Sequence, residues 1–433
     1  MAEKKHKFNF SFFDFSFEKI SAVFIYTLKW LLICTVVGSL AGSASAGFLV
    51  SLDWVTNWRE NHVWIIALLP VCGLAIGLAY YYFGSSVVKG NNLLLEEIHN
   101  PQKIIPFKMA PLVYMGTILT HLFGGSAGRE GTAIQMSGAI ADQFTRVFKL
   151  NADERKIILI AGISAGFGSV FGTPLAGAIF GLEVFIIGRM RYDAIVPAVF
   201  SAIIADVICK SWGVQHTHYE IGLVPSITII GVLLAVVAGI CFGAVAQLFS
   251  KITHRISRFF EEKIKYAPLR PFIGGIFIAA VIFMIGTTKY IGLGIPTIVS
   301  SFNEQLPAYD FAVKLLFTAF TLAVGFKGGE VTPLFFIGAA LGNALSLFIP
   351  LPMALLTGMG FLAVFAGAAN TPLACAVMGI ELFGLGPAAY IAIACVIAYL
   401  FSGHSGIYQS QVIGSPKGLH FAEHKGKRLS DLE

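Results

Sequence analysis

Apolar residues occupy this chain in long runs that contain no Asp, Glu, Lys or Arg. Several of these runs exceed the roughly 20 apolar residues that one membrane-spanning helix needs, and residues 331–380 provide enough for two passes. The pattern predicts an all-α, polytopic integral membrane protein. The uncharged runs are residues 31–52, 61–88, 157–182, 221–250, 271–288, 331–380 and 382–416.

Glycine and proline interrupt many of the apolar runs, for example at residues 162–174 and 325–333. Such interruptions predict short or re-entrant helices in place of simple spans. Irregular backbone at membrane depth is tolerated only where protein or a water-filled cavity covers it. The 46 glycines also favour close helix packing.

The composition agrees with this class of protein, since 12% of the residues are charged, about half the share in soluble domains. The net charge is +6, and we interpret the basic clusters as signals of topology and not of nucleic-acid binding. Short loops rich in Lys and Arg stay in the cytoplasm, so both termini and a central basic loop are expected there, in a protein of the inner (plasma) membrane. The clusters are Lys4, Lys5 and Lys7; Lys251, Arg255, Arg258, Lys263, Lys265 and Arg270; and Lys417, Lys425, Lys427 and Arg428.

The expected organisation is a cytoplasmic N-terminal segment at residues 1–19, a membrane domain at 20–412 and a cytoplasmic tail at 413–433. Six cysteines lie scattered in apolar segments with no CxxC pair, which predicts free, buried thiols. His121 and His404 have no Cys or carboxylate at metal-ligand spacing. We therefore expect neither a metal nor another cofactor.

An internal repeat is the most informative feature of the sequence. Thr173-Pro174-Leu175-Ala176, with Ala178, Gly181 and Glu183, recurs 198 residues later as Thr371-Pro372-Leu373-Ala374, with Ala376, Gly379 and Glu381. Upstream, Glu130, Thr132, Gly138 and Ala139 match Glu330, Thr332, Gly338 and Ala339 at an offset of 200.

Transporters built from such repeats place the substrate where the repeats meet, with the N-termini of broken helices directed at anions. These N-termini offer unpaired N–H groups and a partial positive charge. The glycine-rich segments at residues 124–131 and 325–329 directly precede the repeated helices. We therefore expect backbone N–H groups of these segments to face a pore.

The run Gly128-Arg129-Glu130-Gly131 resembles the GREGP gating motif of the CLC family of anion channels and transporters. The repeat halves and Tyr408 also fall where that family has them, and the resemblance covers about residues 20–412. It implies the CLC fold, with two inverted repeats at about 20–215 and 220–412. It also implies a homodimer with one pathway in each subunit.

Departures from the chloride-transporting pattern are similar to the bacterial branch of this family that exports fluoride in exchange for protons. Asn91 replaces a serine that offers its hydroxyl to chloride, Thr132 replaces the proline of GREGP, and the third segment contains Glu330. The position of the internal proton-relay glutamate, after Glu183, is Val184.

Glu130 is the expected gating and proton-coupling residue, mainly because the resemblance to the GREGP motif implies that role. An intramembrane carboxylate is also a functional candidate by default. Ionised, it resembles an anion and could occupy the anion site of the pore; protonated, it would leave. The structural alternative is an ion pair with Arg129. Glu330 is the expected proton relay, in place of the carboxylate missing at Val184, with a salt bridge to Lys327 as the alternative.

Fluoride is strongly hydrated, so its site must replace water with hydrogen-bond donors. Asn91, Thr132, Thr332 and Tyr408 supply such donors. An ordinary turn at Asn91-Asn92 and an interfacial anchor at Tyr408 are the alternatives. The expected anion-binding set is Asn91, Gly128, Arg129, Gly131, Thr132, Val331, Thr332 and Tyr408.

Glu183 and Glu381 follow the two TPLA segments symmetrically, and we interpret both as structural, hydrogen-bonded at helix ends or near the loop with Arg189 and Arg191. A role in transport is the alternative.

Several other functions are alternatives to fluoride/proton antiport. A chloride/proton antiporter or chloride channel of the same fold is one alternative, and a passive fluoride channel is another. An intramembrane serine hydrolase is more remote. Residues 124–128 match GxSxG but lack the strand that this motif requires, and no transmembrane helix follows residues 403–406 to supply a partner histidine.

Overall fold

The computed structural model describes residues 17–432, and this part of the chain is helical almost throughout. The predicted all-α class is confirmed. The first repeat contains α1 (Phe17–Asn61), α2 (Leu69–Phe83), α3 (Asn91–His99), α4 (Met109–Leu122), α5 (Glu130–Val147), α6 (Ala152–Phe171), α7 (Pro174–Glu183) and α8 (Ile195–Ser211). The second contains α9 (Ile229–Lys263), α10 (Leu269–Ile285), α11 (Ile295–Ser300), α12 (Asp310–Ala323), α13 (Val331–Leu345), α14 (Met353–Ala369), α15 (Pro372–Phe383) and α16 (Ala388–Phe401).

Short 3₁₀ helices and one minimal sheet complete the described structure. The sheet pairs β1 (Ile186–Ile187) in parallel with β2 (Val412–Ile413), so the chain after α16 returns to the end of α7. The 3₁₀ helices are Val63–Leu68, Tyr192–Ala194, Leu419–His424 and Leu429–Asp431.

The internal repeat predicted from the sequence is confirmed by the order of helices. α2 and α10 begin 200 residues apart (269 − 69), α5 and α13 begin 201 apart (331 − 130), and α7 and α15 begin 198 apart (372 − 174). Residues 331–380 form three short helices, α13 to α15, and not two full passes. Pro350 and Pro352 follow the end of α13, and Asn370-Thr371-Pro372 separates α14 from α15, which explains this difference.

The break before each TPLA segment has the same local cause in both repeats. Gly172 ends α6 with φ +73°, and Asn370 ends α14 with φ +59°. Both adopt the left-handed conformation, which Gly accepts freely and Asn more readily than most residues. Pro174 and Pro372 then begin new helices at N1, where proline costs no intrahelical hydrogen bond.

Four helical segments are long and apolar enough to cross a membrane: Val23–Asn61, Val63–Phe83, Tyr192–Ser211 and Ile229–Lys263. The helices that carry the repeated motifs are shorter, and most residues of α5, α7 and α13 are buried, whereas α15 is partly exposed. Residues of α13 and α14 are almost entirely buried, whereas α1, α9 and α10 expose large apolar side chains. The six cysteines are free, as predicted, and only Cys241 is not fully buried.

The tail after residue 412 folds back onto the helices. Lys417 donates through Nζ to Asn370 Oδ1 (2.5 Å) and to the Gly403 carbonyl (2.6 Å). Leu429 is buried beside Ile187 and Ile413. The expected boundary at 412/413 therefore falls inside β2. Most of the expected N-terminal segment, residues 1–16, lies outside the described residues, and residues 17–19 already belong to α1.

Candidate functional site

The two glycine-rich loops that precede α5 and α13 are joined to each other. Gly128 N–H donates to the Gly329 carbonyl (2.5 Å), and Gly329 N–H donates to the Gly128 carbonyl (2.8 Å). This antiparallel bridge brings the first turns of α5 and α13 together at the junction of the two repeats. Because the two N–H groups are used in the bridge, Gly128 cannot offer its own to an anion, contrary to its expected place in the anion-binding set.

The side chain of Glu130 is fully buried and reaches across to the N-terminus of α13. Its Oε2 accepts from the Thr332 N–H (3.1 Å) and from the Arg129 N–H (3.1 Å), and its Oε1 accepts from the Thr332 hydroxyl. The carboxylate therefore lies on donors from both repeats at a helix N-terminus, the kind of place where anions bind. This geometry is what the anion-mimic hypothesis for Glu130 requires.

The alternative ion pair between Arg129 and Glu130 is also present, at 3.5 Å between Nε and Oε1. It does not replace the other contacts, because the Thr332 donors lie on the opposite repeat. Val331, which is fully buried, supplies the apolar first position of α13 beside them.

A cavity of about 150 Å³ lies next to the loop bridge, and we call it the Lys327 vestibule. Its lining brings together three of the predicted site residues, Asn91, Glu330 and Tyr408, with Lys89, Lys327 and Gln135. Gly131 lies close by, since a Cβ atom on it would come within 3.0 Å of Asn91 Nδ2 and 3.8 Å of Glu330 Oε2. Asn91, Gly131, Glu330 and Tyr408 thus lie together as the sequence predicted.

Three polar atoms at this place are buried and lack hydrogen-bond partners in the described structure: Asn91 Oδ1, Glu330 Oε2 and Tyr408 Oη. Native proteins leave few such groups without a reason. A site that exchanges ions is one such reason. Tyr408 is 2% exposed, so the interfacial-anchor alternative for it is wrong.

A second, small cavity of about 10 Å³ joins Asn91 and Tyr408 to Val184, Phe180 and other apolar side chains. Val184, where the family resemblance places a proton-relay glutamate, therefore faces a space with almost no polar surface.

The Thr132 hydroxyl does not join the hydrogen-bond donors that surround the Glu130 carboxylate. It is fully buried, and its Oγ1 lies 2.6 Å from Oγ1 of Thr117 on α4. The prediction that Thr132 binds the anion is therefore not supported by its side-chain contact. Thr117 was not singled out by the sequence, because only the packing of α4 against α5 reveals it.

Arg129 lines a larger cavity of about 850 Å³, here called the Arg129 vestibule, together with Arg59, Asp53, Glu60, Lys289 and others. Arg129 thus contacts Glu130 through its backbone N–H and its Nε, and also lines this vestibule. Glu130 consequently lies between a vestibule reached through Arg129 and one lined by Glu330.

The remaining alternatives drawn from the sequence fit the structure less well. Lys327 lies over the ring of Tyr80, with Nζ 4.1 Å from the ring centroid, and no ion pair with Glu330 is formed in the described part of the chain. Ser126 is buried, and its hydroxyl lies 2.9 Å from the Thr318 hydroxyl in an irregular segment. A nucleophile elbow is absent from this place.

The model of the voltage-gated chloride channel family matches residues 73–403, which is more than half of the chain. The chain belongs to the CLC family.

Membership in the CLC family makes the chain a membrane transport protein and excludes the serine-hydrolase alternative. A relative from Pseudomonas syringae pv. tomato, named chloride/fluoride channel protein, is 55% identical over 94% of this chain and 91% of its own length. The H(+)/Cl(-) exchange transporter ClcA of Klebsiella pneumoniae strain 342 is 26% identical over 82% of this chain and 81% of its own length.

Solved structures of CLC proteins have the same architecture. The crystal structure of a CLC-type fluoride/proton antiporter superposes with a TM-score of 0.86 at 32% identity, covering 92% of this chain and 99% of the other. A eukaryotic CLC transporter superposes with a TM-score of 0.71 at 18% identity, covering 89% and 74%, which supports the fold alone.

Proposed function

We propose that this CLC protein exports fluoride from a bacterial cytoplasm in exchange for protons. The observation that carries the proposal is the Glu130 carboxylate held by the Thr332 N–H, the Thr332 hydroxyl and the Arg129 N–H. A set of donors that binds a carboxylate also suits a small anion. The 55% identical relative named for chloride and fluoride supports the choice of ion.

Competition for these donors would couple the two ions. When a proton from the Arg129 vestibule neutralises Glu130, the carboxyl group loses the charge that holds it there, and fluoride takes its place. The protonated side chain then passes its proton toward Glu330, whose Oε2 is buried and has no hydrogen-bond partner among the described residues. Fluoride leaves toward the Arg129 vestibule as the proton moves toward the Lys327 vestibule.

The Lys327 vestibule is proposed to face the cytoplasm. The basic end of α9 lies on its side of the molecule, because His254 contacts the Gly406 carbonyl (2.9 Å) and the Tyr266 ring lies 5.4 Å from that of Tyr81. Loops rich in Lys and Arg remain cytoplasmic. The same rule supports cytoplasmic termini. We further propose that the protein lies in the lipid bilayer of the inner membrane as a homodimer with one pathway per subunit, which the family resemblance implies.

Chloride/proton antiport is a second candidate, favoured by the 26% identical H(+)/Cl(-) exchange transporters. A passive channel is a third, favoured by the word channel in the name of the 55% identical relative. Asn91 and Glu330 support fluoride, since an amide NH₂ and a second carboxylate replace groups suited to chloride in the family pattern.

One efflux experiment distinguishes the three candidates. Proteoliposomes are loaded with equal fluoride and chloride, and external fluoride, external chloride and internal pH are recorded together. The proposal predicts fluoride release with proton uptake and much slower chloride release. Equal release of chloride would favour the second candidate, and fluoride release with no pH change beyond that of empty liposomes would favour the third.

A further inference from the structure

Lys327 lies in the loop before α13, at the membrane depth of the site, and lines the Lys327 vestibule. A lysine inside a membrane protein is costly unless it has a partner or a task. No carboxylate lies within 4.0 Å of its ammonium group in residues 17–432. The vestibule's other lysine, Lys89, is different, because its ammonium is bonded to Glu96 (2.8 Å).

The side chain of Lys327 is held in place by α2 and α4. Its ammonium stands over the ring of Tyr80, a cation–π contact of 4.1 Å. Its backbone N–H donates to the Thr120 hydroxyl (3.2 Å). Its stem crosses α4 at Gly116, where an added Cβ would lie 3.0 Å from both Cβ and Cγ of Lys327.

These contacts fix a positive charge without neutralising it. A cation whose only close partner is a ring face retains most of its attraction for anions, and low-dielectric walls focus its field into the cavity. Glu330 lines the same cavity, and its ionised form would repel an anion. The positive charge of Lys327 offsets that repulsion in the cavity that Asn91 also lines, where the Asn91 amide can donate a hydrogen bond to the anion.

We propose that Lys327 captures fluoride in the Lys327 vestibule, and that Tyr80 and Gly116 position its ammonium group for this task. The inference rests on the proposed function and adds a residue to it. In this role Lys327 supplies a fixed positive charge and does not transfer a proton, so arginine should substitute for it.

The test measures the initial rate of fluoride efflux from proteoliposomes against internal fluoride concentration. Lys327→Met is expected to raise the KM for fluoride roughly tenfold, at the lower end of the effect of focused charge on local ion concentration, with the proton-to-fluoride ratio unchanged. Lys327→Arg is expected to stay within about threefold of wild type. The difference between wild type and Lys327→Met is expected to shrink at high ionic strength, because salt screens a charge effect.

Two further variants keep the test independent of folding defects. Gly116→Ala keeps the charge but displaces the stem, and its KM should rise while the protein elutes as wild type in size-exclusion chromatography. Lys108→Met removes an exposed lysine outside the vestibule and should leave KM within about twofold.

Two results would overturn the inference while leaving the proposed function intact. One is a wild-type KM in Lys327→Met together with normal fluoride/proton exchange. The other is a Lys327→Arg variant that keeps its KM but loses proton coupling, which would make Lys327 a proton carrier. If the wild-type protein exchanged no fluoride for protons, the proposed function itself would fail.

Discussion

Glu183 and Glu381 each cap the helix to which the other belongs. The carboxylate of Glu183, at the end of α7, accepts from the Leu373 N–H (3.2 Å) and the Ala374 N–H (2.9 Å) in the first turn of α15. Glu381, near the end of α15, accepts from the Leu175 N–H (3.0 Å) and the Ala176 N–H (2.8 Å) of α7. The prediction that both carboxylates are hydrogen-bonded at helix ends is confirmed, and their structural role stays a prediction.

This reciprocity requires α7 and α15 to run in opposite directions beside each other. The two TPLA segments are therefore related by an approximate two-fold axis, as inverted repeats demand. Each carboxylate satisfies N–H groups that a helix leaves unpaired at its start and lies at the positive end of the helix dipole.

Loss of the Glu183 carboxylate is expected to destabilise the protein without altering coupling. Glu183→Ala leaves two N–H groups of α15 unpaired, at a cost of about 1–3 kcal/mol. Glu381→Ala should cost less, because Glu381 is only half-buried and water can replace it. Thermal unfolding in detergent measures the change, with Glu220→Ala at an exposed acid as control. Wild-type stability in Glu183→Ala would show that the caps contribute little.

Thr132 and Thr332 are expected to behave differently although the sequence treats them as equivalents. Thr332→Val removes a hydroxyl that contacts the Glu130 carboxylate, so fluoride turnover should fall about tenfold or more. Thr132→Val removes the bond to Thr117 and should cost about 1 kcal/mol of stability with fluoride KM within about twofold. Fluoride flux and thermal unfolding are measured for both variants. A larger loss of flux in Thr132→Val than in Thr332→Val would contradict the different roles of the two hydroxyls.

Asn91 is expected to set the preference for fluoride over chloride. Asn91→Ser replaces an NH₂ group, with two donors, by one hydroxyl, and the loss of about 1–1.5 kcal/mol corresponds to a roughly tenfold fall in the fluoride-to-chloride rate ratio.

The adjacent Asn92 provides the matched control for that measurement. Its Oδ1 accepts from the Ser410 N–H (3.0 Å), so Asn92→Ser should reduce stability and keep selectivity. Equal selectivity loss in both variants would mean that α3 as a whole, and not the Asn91 amide, determines the preference.

The tail should loosen as the pH falls, because His404 is held in its neutral form. Its Nε2 accepts from the Lys417 N–H (3.2 Å) and its Nδ1 lies 2.8 Å from His424 Nδ1. Burial, followed by the charges of Lys417 and His424, lowers the pKa of His404 to about 4, against about 6.5 when the tail is open. The open state therefore takes up a proton between these values, and docking is weakened as pH falls through that window.

Hydrogen exchange of residues 412–432 measures this loosening. Protection corrected for intrinsic exchange should be constant above about pH 6.5 and fall by up to tenfold per pH unit below it. His404→Gln should flatten the dependence, and His420→Gln, at an exposed histidine outside the contact, should not. A pH-independent wild-type profile would show that His404 does not titrate with tail opening.

The internal repeat and the interruptions of the helices could be predicted from the sequence. The TPLA segments and the Gly and Pro breaks are local, so the repeat and the short helices could be predicted from them. The gathering of Asn91, Glu330 and Tyr408 followed from the family resemblance. Glu130 could be selected because a carboxylate is rare in an apolar stretch.

Other features depend on contacts between distant residues, and no local pattern reveals them. The hydroxyl of Thr132 bonds to Thr117 because α4 packs against α5, although Thr332 at the matching position contacts Glu130. The Lys327 ammonium contacts the Tyr80 ring and not the Glu330 carboxylate, because α2 lies beside the loop of Lys327. The Gly128 and Gly329 N–H groups each donate to the carbonyl of the other residue, so neither is directed into the pore.

Competition between the Glu130 carboxylate and fluoride is tested most directly by Glu130→Gln in proteoliposomes. The amide keeps the shape of the side chain but does not take up and release a proton near neutral pH. An outward fluoride gradient should drive proton uptake into wild-type liposomes and none, above empty liposomes, in Glu130→Gln. Fluoride-driven proton uptake at the wild-type ratio in Glu130→Gln would contradict the account.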